Sequence, residues 1–192
     1  PVIKAISESK YLKYDLLVSG AHLDKNFGNT LKEIKEDGFS ISKEIKIPLL
    51  GDSLFDTTQA IGAGVKSISS ALKKINPDIF IVYADRFEGF AAVIAGTQMN
   101  IPTAHIEGGD ITEGGALDDS IRHAMTKLSH LHFTTNKFAT KRILAMGEES
   151  WRVKTVGFPG VDLIKQKKIL QREEIKKNLK LDFKNPIIIF TQ

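Results

Sequence analysis

Acidic, basic and imidazole side chains form three clusters in the middle of the sequence, at residues 84–88, 105–110 and 118–123. The first two clusters directly follow apolar runs, residues 79–83 and 101–104, which predict strands. The carboxyl ends of parallel strands form one rim of an open sheet, and that rim is where such sheets bind ligands. Carboxylates at a rim can act as general acids and bases, and burying them unpaired is unfavourable. The spacing therefore predicts a ligand site at this rim.

The first two clusters each allow a second interpretation. Asp85 can take part in chemistry, or it can cap the helix that follows, since Asp is favoured at helix N-caps. His105 and Glu107 are two residues apart on a predicted strand, so we expect them to face the same side. The alternative is a core histidine and a loop carboxylate. Gly108 and Gly109 allow a sharp turn or a close approach to a ligand.

The third cluster begins a predicted helix with Asp118 and Asp119, and a capping role explains only one of these acids. Arg122 follows Asp118 by four residues, so the two can pair on one helix face. Such a pair can be purely structural, or it can orient the carboxylate while the arginine meets an anion. The helix N-terminus also favours phosphate, and His123 can titrate near neutral pH.

The remaining histidines carry weaker signals. His22 follows a predicted strand and can contact a phosphate or sugar, or it can be a polar loop residue. His130 and His132 alternate into a strand and are predicted to be structural. No further ligand accompanies His105 and Glu107, so no metal site is expected. The sequence contains no phosphate-binding Walker loop and no Gly-x-Gly-x-x-Gly fingerprint.

Strand and helix patterns alternate along the chain, which predicts an α/β fold with a parallel sheet covered by helices. The run at residues 79–83 is continuously apolar, as in a strand buried on both faces. The predicted strands are residues 14–19, 39–47, 79–83, 103–106, 131–135, 153–157 and 187–190. The predicted helices are residues 1–6, 30–36, 56–75, 87–98, 118–128, 137–146, 161–167 and 171–181, with Asn136 as a cap.

Composition narrows the functional classes. Hydrophobic residues make up 42% of the 192 residues, enough for a core. The net charge of +4 suits a small anionic ligand but is too small to suggest nucleic acid. The absence of cysteine excludes disulfides, thiolate zinc sites and cysteine nucleophiles, and it fits a cytoplasmic protein. No apolar run approaches membrane-spanning length, so no membrane association is expected.

The ends of the chain suggest a piece of a longer polypeptide, because a helix opens it and a strand closes it. The polar stretch at residues 165–184 predicts a connector to a second domain. We therefore expect residues 1–165 to form an N-terminal domain without its first strand. Residues 166–192 would be the connector and the first strand of a second domain.

The ordered motifs resemble the hydrolysing (non-phosphorylating) UDP-N-acetylglucosamine 2-epimerases, in particular the sialic- and legionaminic-acid biosynthesis branch. The resemblance covers nearly the whole chain. One departure is Ala84, where the family usually has Gly before the Asp. The matching segments are Asp-Arg-Phe-Glu at 85–88, Asn-Ile-Pro at 100–102, His-Ile-Glu-Gly-Gly at 105–109, Asp-Asp-Ser-Ile-Arg-His-Ala at 118–124 and Thr-Lys-Leu-Ser-His-Leu-His-Phe at 126–133.

The resemblance implies the N-terminal half of a two-domain glycosyltransferase-B (GT-B) fold, in which two Rossmann-like domains close over a nucleotide sugar. It implies conversion of UDP-N-acetylglucosamine to free N-acetylmannosamine and UDP, by elimination of UDP and then addition of water. Such a path needs acid/base groups on both faces of the sugar ring. It also implies a cytoplasmic homodimer with no metal and no cofactor.

By the same resemblance, Asp85, Glu107 and Asp118 would form the acid/base set, and Arg122 would orient Asp118 or meet the substrate. The predicted substrate-binding residues are His22, Gly108, Asp119 and His123. The same chemistry on UDP- or GDP-N,N'-diacetylbacillosamine stays open as an alternative. So do a glycosyltransferase of this fold and a non-catalytic nucleotide-sugar binder.

Overall fold

The computed structural model describes residues 1–25, 30–48, 51, 53–112, 114, 117–165, 170–180 and 186–188. The chain divides into two units, one comprising Val2–Phe158 and the other Pro1 with Pro159–Gln192. In the first unit strands and helices alternate, and every strand pair is parallel. These observations confirm the predicted α/β class.

Among the described residues of the first unit, six strands form two parallel sheets. The sheet order is β3-β4-β5-β6 in the larger sheet, and β1 pairs with β2 in the smaller one. Tyr83 lies opposite Ile106, and Ile106 lies opposite Phe133, so three neighbouring strands end level at one rim. The strands are β1 (Leu17–Ser19), β2 (Lys43–Ile45), β3 (Phe80–Tyr83), β4 (Thr103–Ile106), β5 (Leu131–Thr134) and β6 (Val153–Thr155).

The helices lie close to their predicted bounds because capping residues mark their ends. The Asn136 side chain accepts hydrogen bonds from the Phe138 and Ala139 N–H groups, as predicted. Asn76 ends the longest helix in a left-handed conformation. The first unit contains α1 (Val2–Ser7), α2 (Leu31–Glu36), α3 (Leu54–Ile75), α4 (Phe87–Gln98), α5 (Leu117–Leu128) and α6 (Lys137–Ala145).

The core lies between the larger sheet and the helices α3, α4 and α5. Leu72 of α3, Val82 of β3 and Met125 of α5 are buried in one hydrophobic cluster with the alanines of α4. Small side chains bring α3 close to α4, since a Cβ added at Gly64 would come within 2.9 Å of the Ala91 Cβ. This packing fixes the start of α5 and the end of β3, which carry two of the charged clusters.

Strand β3 differs from its prediction as a strand buried on both faces. Val82 is 5% exposed, but Ile79, Ile81 and Tyr83 on the alternating positions are 51%, 42% and 50% exposed. The core of α3 to α5 covers only the Val82 face, so the prediction of double burial was wrong. Within the described part of the chain, β3 is also an edge strand of its sheet.

The second unit contains α7 (Gly160–Lys165) and α8 (Arg172–Leu179), which correspond to two of the predicted helices. Of the predicted strand at residues 187–190, Ile187 and Ile188 have no regular secondary structure, and residues 189–192 lie outside the described residues. Among the described helices, none has the length and apolar character that a membrane span requires.

Candidate active site

Arg122 of α5 joins two of the charged clusters. Its Nη2 donates to Asp85, which follows β3, and its Nη1 donates to Asp119 Oδ1 at 2.7 Å. The same Nη1 lies 2.9 Å from the Asp110 carbonyl oxygen. The side chains of Arg122, Asp85 and Asp119 are only 11%, 19% and 16% exposed. Removing one of them would leave a largely buried charge without its partner, which is unfavourable.

The structure decides two questions that the sequence left open, the capping role of Asp85 and the partner of Arg122 on α5. Asp85 does not cap α4, because the N-cap residue is Arg86 and no side chain makes the capping hydrogen bond. Arg122 pairs with Asp119, three residues before it, and not with Asp118, four residues before it. An orienting contact from Arg122 to Asp118 is therefore not present. Both spacings place side chains on one helix face, so the sequence could not choose between them.

Asp118 is exposed, but its charge still acts on Arg86, the residue that follows Asp85. The pKa of Arg86 is raised, first by its hydrogen bonds to Glu88, against the effect of burial, and further by the charges of Glu88, Asp118 and Asp85. The Arg86–Glu88 contacts measure 3.1 and 3.2 Å. Asp118 and Asp85 thus share a neighbourhood around Arg86 at the rim.

Asp119 has a structural role in addition to its ion pair. The backbone N–H of Thr112 lies 3.0 Å from each Asp119 carboxylate oxygen. This hydrogen bond, followed by the charge of Arg122, lowers the pKa of Asp119. Asp119 therefore holds the loop after β4 against α5, and a direct contact with substrate stays a prediction.

Glu107 directly follows β4 and accepts a hydrogen bond from the Tyr83 hydroxyl. Its backbone N–H donates to the Phe133 carbonyl at 3.0 Å, and its φ of 67° is left-handed. Burial, and then the hydrogen bond and charge of Glu107, raise the pKa of Tyr83, so this phenol stays a donor. Sequence reasoning missed Tyr83. The signal was its place as the last residue of β3, next to the end of β4.

His105 is the third residue of β4 and is fully buried. Its Nε2 lies 2.7 Å from the Ala84 carbonyl oxygen, and its Nδ1 lies 3.2 Å from Thr126 Oγ1. Burial lowers its pKa to about 4. The core-histidine interpretation therefore holds, and His105 and Glu107 have different partners. Gly108 packs on this histidine, since an added Cβ would lie 2.8 Å from Thr126 Oγ1 and 2.9 Å from His105 Nδ1.

His22 and His123 have different surroundings. His22 lies in the 3₁₀ turn Gly20–Leu23, is exposed, and places its Nδ1 2.5 Å from Thr30 Oγ1, which fits a polar loop residue. Gly20 in this turn contacts Glu88, because an added Cβ would collide with that carboxylate. The Nδ1 of His123 is buried and has no hydrogen-bond partner among the described residues. The predicted substrate contacts of both histidines, and of Gly108, stay predictions.

Asp110 has a positioning role that the sequence did not reveal. Thr135 Oγ1 donates to its Oδ2 at 2.6 Å, and Asn136 Nδ2 donates to its Oδ1 at 2.9 Å. Arg122 donates to its carbonyl. Asp110 thereby connects the loop after β4 to the start of α6. In the described parts of the chain, no three His, Asp or Glu side chains are grouped as metal ligands.

Comparisons with known proteins show the family to which the chain belongs. A family model described as UDP-N-acetylglucosamine 2-epimerase matches residues 4–192. The chain belongs to this family. It is 34% identical over 186 residues to the GDP/UDP-N,N'-diacetylbacillosamine 2-epimerase (hydrolyzing) of Campylobacter jejuni, with 97% of the chain and 48% of the relative covered. It is 36% identical over 172 residues to the UDP-N,N'-diacetylbacillosamine 2-epimerase (hydrolyzing) of Legionella pneumophila, with 90% and 45% covered.

The fold comparison agrees with the family. The UDP-GlcNAc 2-epimerase from Neisseria meningitidis, solved bound to UDP-GlcNAc, superposes with a TM-score of 0.81 at 21% identity. The match covers 95% of this chain and 48% of that structure. The chain thus spans about half the length of the epimerases it matches. Its fold is the N-terminal half of the GT-B arrangement of this family, as the resemblance implied.

Proposed function

We propose that the complete protein is a hydrolysing 2-epimerase that acts on a UDP-linked N-acetylated amino sugar. The observation that carries this proposal is the set of carboxylates at one sheet rim, with Asp85 held by Arg122 and Glu107 held by Tyr83. Membership of the epimerase family and the names of the relatives support it. The products would be the free manno-configured sugar and UDP.

The reaction needs groups that take and give protons at one carbon. A base removes the C2 proton, a C1=C2 double bond forms, and the C1–O bond to UDP breaks with its electron pair leaving on the diphosphate. Water then adds its oxygen to C1 and gives up one proton to a carboxylate, and an acid delivers a proton to the opposite face of C2. We assign these transfers to Asp85, Glu107 and Asp118 as a set, with Arg122 fixing the orientation of Asp85.

The arginines at the rim are candidate cations for the leaving diphosphate. Arg86 pairs with Glu88, and Arg122 pairs with Asp85 and Asp119, so both rim arginines already face carboxylates. A departing diphosphate requires cationic or N–H donors that are free to receive it. We propose that most of these donors belong to parts of the complete protein outside this chain.

The identity of the sugar in the substrate is a separate part of the proposal. Two relatives are named for UDP-N,N'-diacetylbacillosamine, whereas the sequence motifs alone put UDP-N-acetylglucosamine first. The test is incubation of the complete protein in D₂O with each nucleotide sugar, followed by NMR of the products. A free sugar with inverted C2 and deuterium at C2 supports the proposal. An unlabelled sugar attached to an acceptor indicates a glycosyltransferase, and no turnover of any UDP- or GDP-linked amino sugar contradicts both.

We also propose a domain arrangement, in which residues 1–165 form the N-terminal domain and 166–192 form the connector and the first strand of a second domain. In the described chain the outer edge of β3 has no strand partner, and β1 and β2 form a separate pair. An additional parallel strand between β1 and β3 would unite the two sheets. A structure of the complete protein in which β3 stays an edge strand would contradict this arrangement.

The homodimer and the cytoplasmic location remain proposals that rest on the resemblance alone. Light scattering of the complete protein at micromolar concentration tests the first, with twice the subunit mass as the expected result. Fractionation of cells that produce the protein tests the second.

A further inference from the structure

Asp85 follows a residue whose backbone conformation is unfavourable. Ala84 has a φ of 60°, in the left-handed region where a Cβ crowds the following carbonyl oxygen. The Ala84 N–H donates to the Ile106 carbonyl at 3.0 Å, which fixes the peptide bond before Ala84. The peptide bond after Ala84 leads to Asp85, which pairs with Arg122, so this second peptide bond also requires a restraint.

That restraint comes from His105. Its Nε2 lies 2.7 Å from the Ala84 carbonyl oxygen, and the imidazole is 0% exposed. The Ala84 carbonyl belongs to the peptide bond that ends at the Asp85 nitrogen. A hydrogen bond to this oxygen therefore fixes the plane from which the Asp85 side chain projects.

The contacts of His105 determine its tautomer. Burial lowers its pKa to about 4, so the ring is neutral at physiological pH. A carbonyl oxygen can only accept, so the proton must lie on Nε2, and Nδ1 must accept. The Thr126 Oγ1 lies 3.2 Å from Nδ1 and 3.0 Å from the Arg122 carbonyl oxygen, so its one hydroxyl proton is shared between these two acceptors. Gly108 leaves the space that this arrangement needs.

We propose that His105 is a positioning residue for Asp85. It holds the left-handed turn at Ala84 in place and thereby aims the Asp85 carboxylate at Arg122 and the substrate. It transfers no proton itself, because both ring nitrogens are engaged inside the protein. The proposal rests on the proposed function, since it assumes that Asp85 serves the epimerisation.

The test uses the complete protein and compares His105→Met, which has no donor, with His105→Gln, whose amide can still donate to the Ala84 carbonyl. We expect His105→Met to lower kcat about 10- to 100-fold with KM nearly unchanged, because a small misplacement of a reacting group has effects of this size. His105→Gln should retain most of the wild-type kcat. The pH profile of kcat should keep its shape in every variant.

A rescue variant separates positioning from general damage to the core. Ala84→Gly removes the Cβ that makes the turn unfavourable, so adding it to His105→Met should recover much of the lost kcat. The control is His130→Met, which removes the Nδ1 acceptor that lies 3.1 Å from the Thr103 N–H at the opposite end of β4. The control should leave kcat within about twofold, as expected for a residue remote from the reaction.

If wild-type protein is active, two outcomes overturn the proposal: a His105→Met enzyme as active as wild type, or a loss that neither His105→Gln nor Ala84→Gly reduces. If wild-type protein turns over no nucleotide sugar, the proposed function fails, and the structure of the His105→Met variant decides the inference by itself. The Ala84–Asp85 peptide plane should then have rotated and the Asp85–Arg122 ion pair should be broken. An unchanged ion pair overturns the proposal.

Discussion

Replacing Arg122 by Met tests the idea that one guanidinium holds the site together. The substitution keeps an apolar stem but removes the hydrogen bonds to Asp85, to Asp119 at 2.7 Å and to the Asp110 carbonyl at 2.9 Å. It leaves two carboxylates, 19% and 16% exposed, without their cation. We therefore expect the folded state to be less stable and the Asp85 carboxylate to lose its fixed orientation.

The magnitude follows from the burial of the group. Breaking a buried ion pair destabilises a protein by about 3–5 kcal/mol, whereas an exposed pair contributes about 0–1 kcal/mol. Asp119 keeps its hydrogen bonds from the Thr112 N–H, and both acids can be partly rehydrated. We therefore expect Arg122→Met to lower the free energy of unfolding by about 3 kcal/mol, the low end of the buried range.

The assay is urea unfolding of Arg122→Met, Asp85→Asn and the double variant. Because the partners touch, the two effects should not add, and the coupling energy should be about 1–3 kcal/mol. Arg152→Met is the matched control, since its partner Glu149 is 61% exposed, and it should change stability by less than about 1 kcal/mol. If Arg122→Met is no more destabilising than Arg152→Met, the central role of Arg122 is refuted.

Three further predictions concern the surroundings of the site. The pKa of His105 falls from 6.5 to about 4 on folding, so the unfolded chain binds the proton first. Below pH 6.5 wild type should lose up to about 3 kcal/mol more stability than His105→Gln by pH 4, as urea titrations would show. Gly108→Ala should destabilise by about 1–3 kcal/mol through its contacts with His105, while Gly62→Ala, with nothing within 4 Å, should be neutral or stabilising. Tyr83→Phe should lower kcat by about tenfold, because Glu107 loses its donor; an unchanged kcat would make that contact irrelevant.

Much of the fold was accessible from the sequence because local signals set the elements. Helix α4 and strand β4 have the predicted bounds, residues 87–98 and 103–106, because the Asn-Ile-Pro segment at 100–102 separates the two elements. Asn136 caps α6 as its side chain predicts. The alternation of such signals was enough to predict a parallel sheet whose carboxyl ends carry the charged clusters.

The partners inside the clusters were not accessible in the same way. Asp118 and Asp119 both lie on the Arg122 side of α5, and only the packing of α5 against α4 and β4 selects Asp119 and Asp85 as the partners of Arg122. The contact between Tyr83 and Glu107 depends on strand register, which no local pattern sets. The one-sided burial of β3 depends on what covers its second face, and an apolar run carries no information about that.

We propose that Asp85, Glu107 and Asp118 perform the proton transfers at C2. The most direct test measures turnover and binding together in Asp85→Asn, Glu107→Gln and Asp118→Asn of the complete protein. Each variant should lower kcat by about 10²-fold or more, while the Kd for the nucleotide sugar, measured by calorimetry, stays within about tenfold. If all three variants turn over the sugar at rates near wild type, these carboxylates are not the acid/base set.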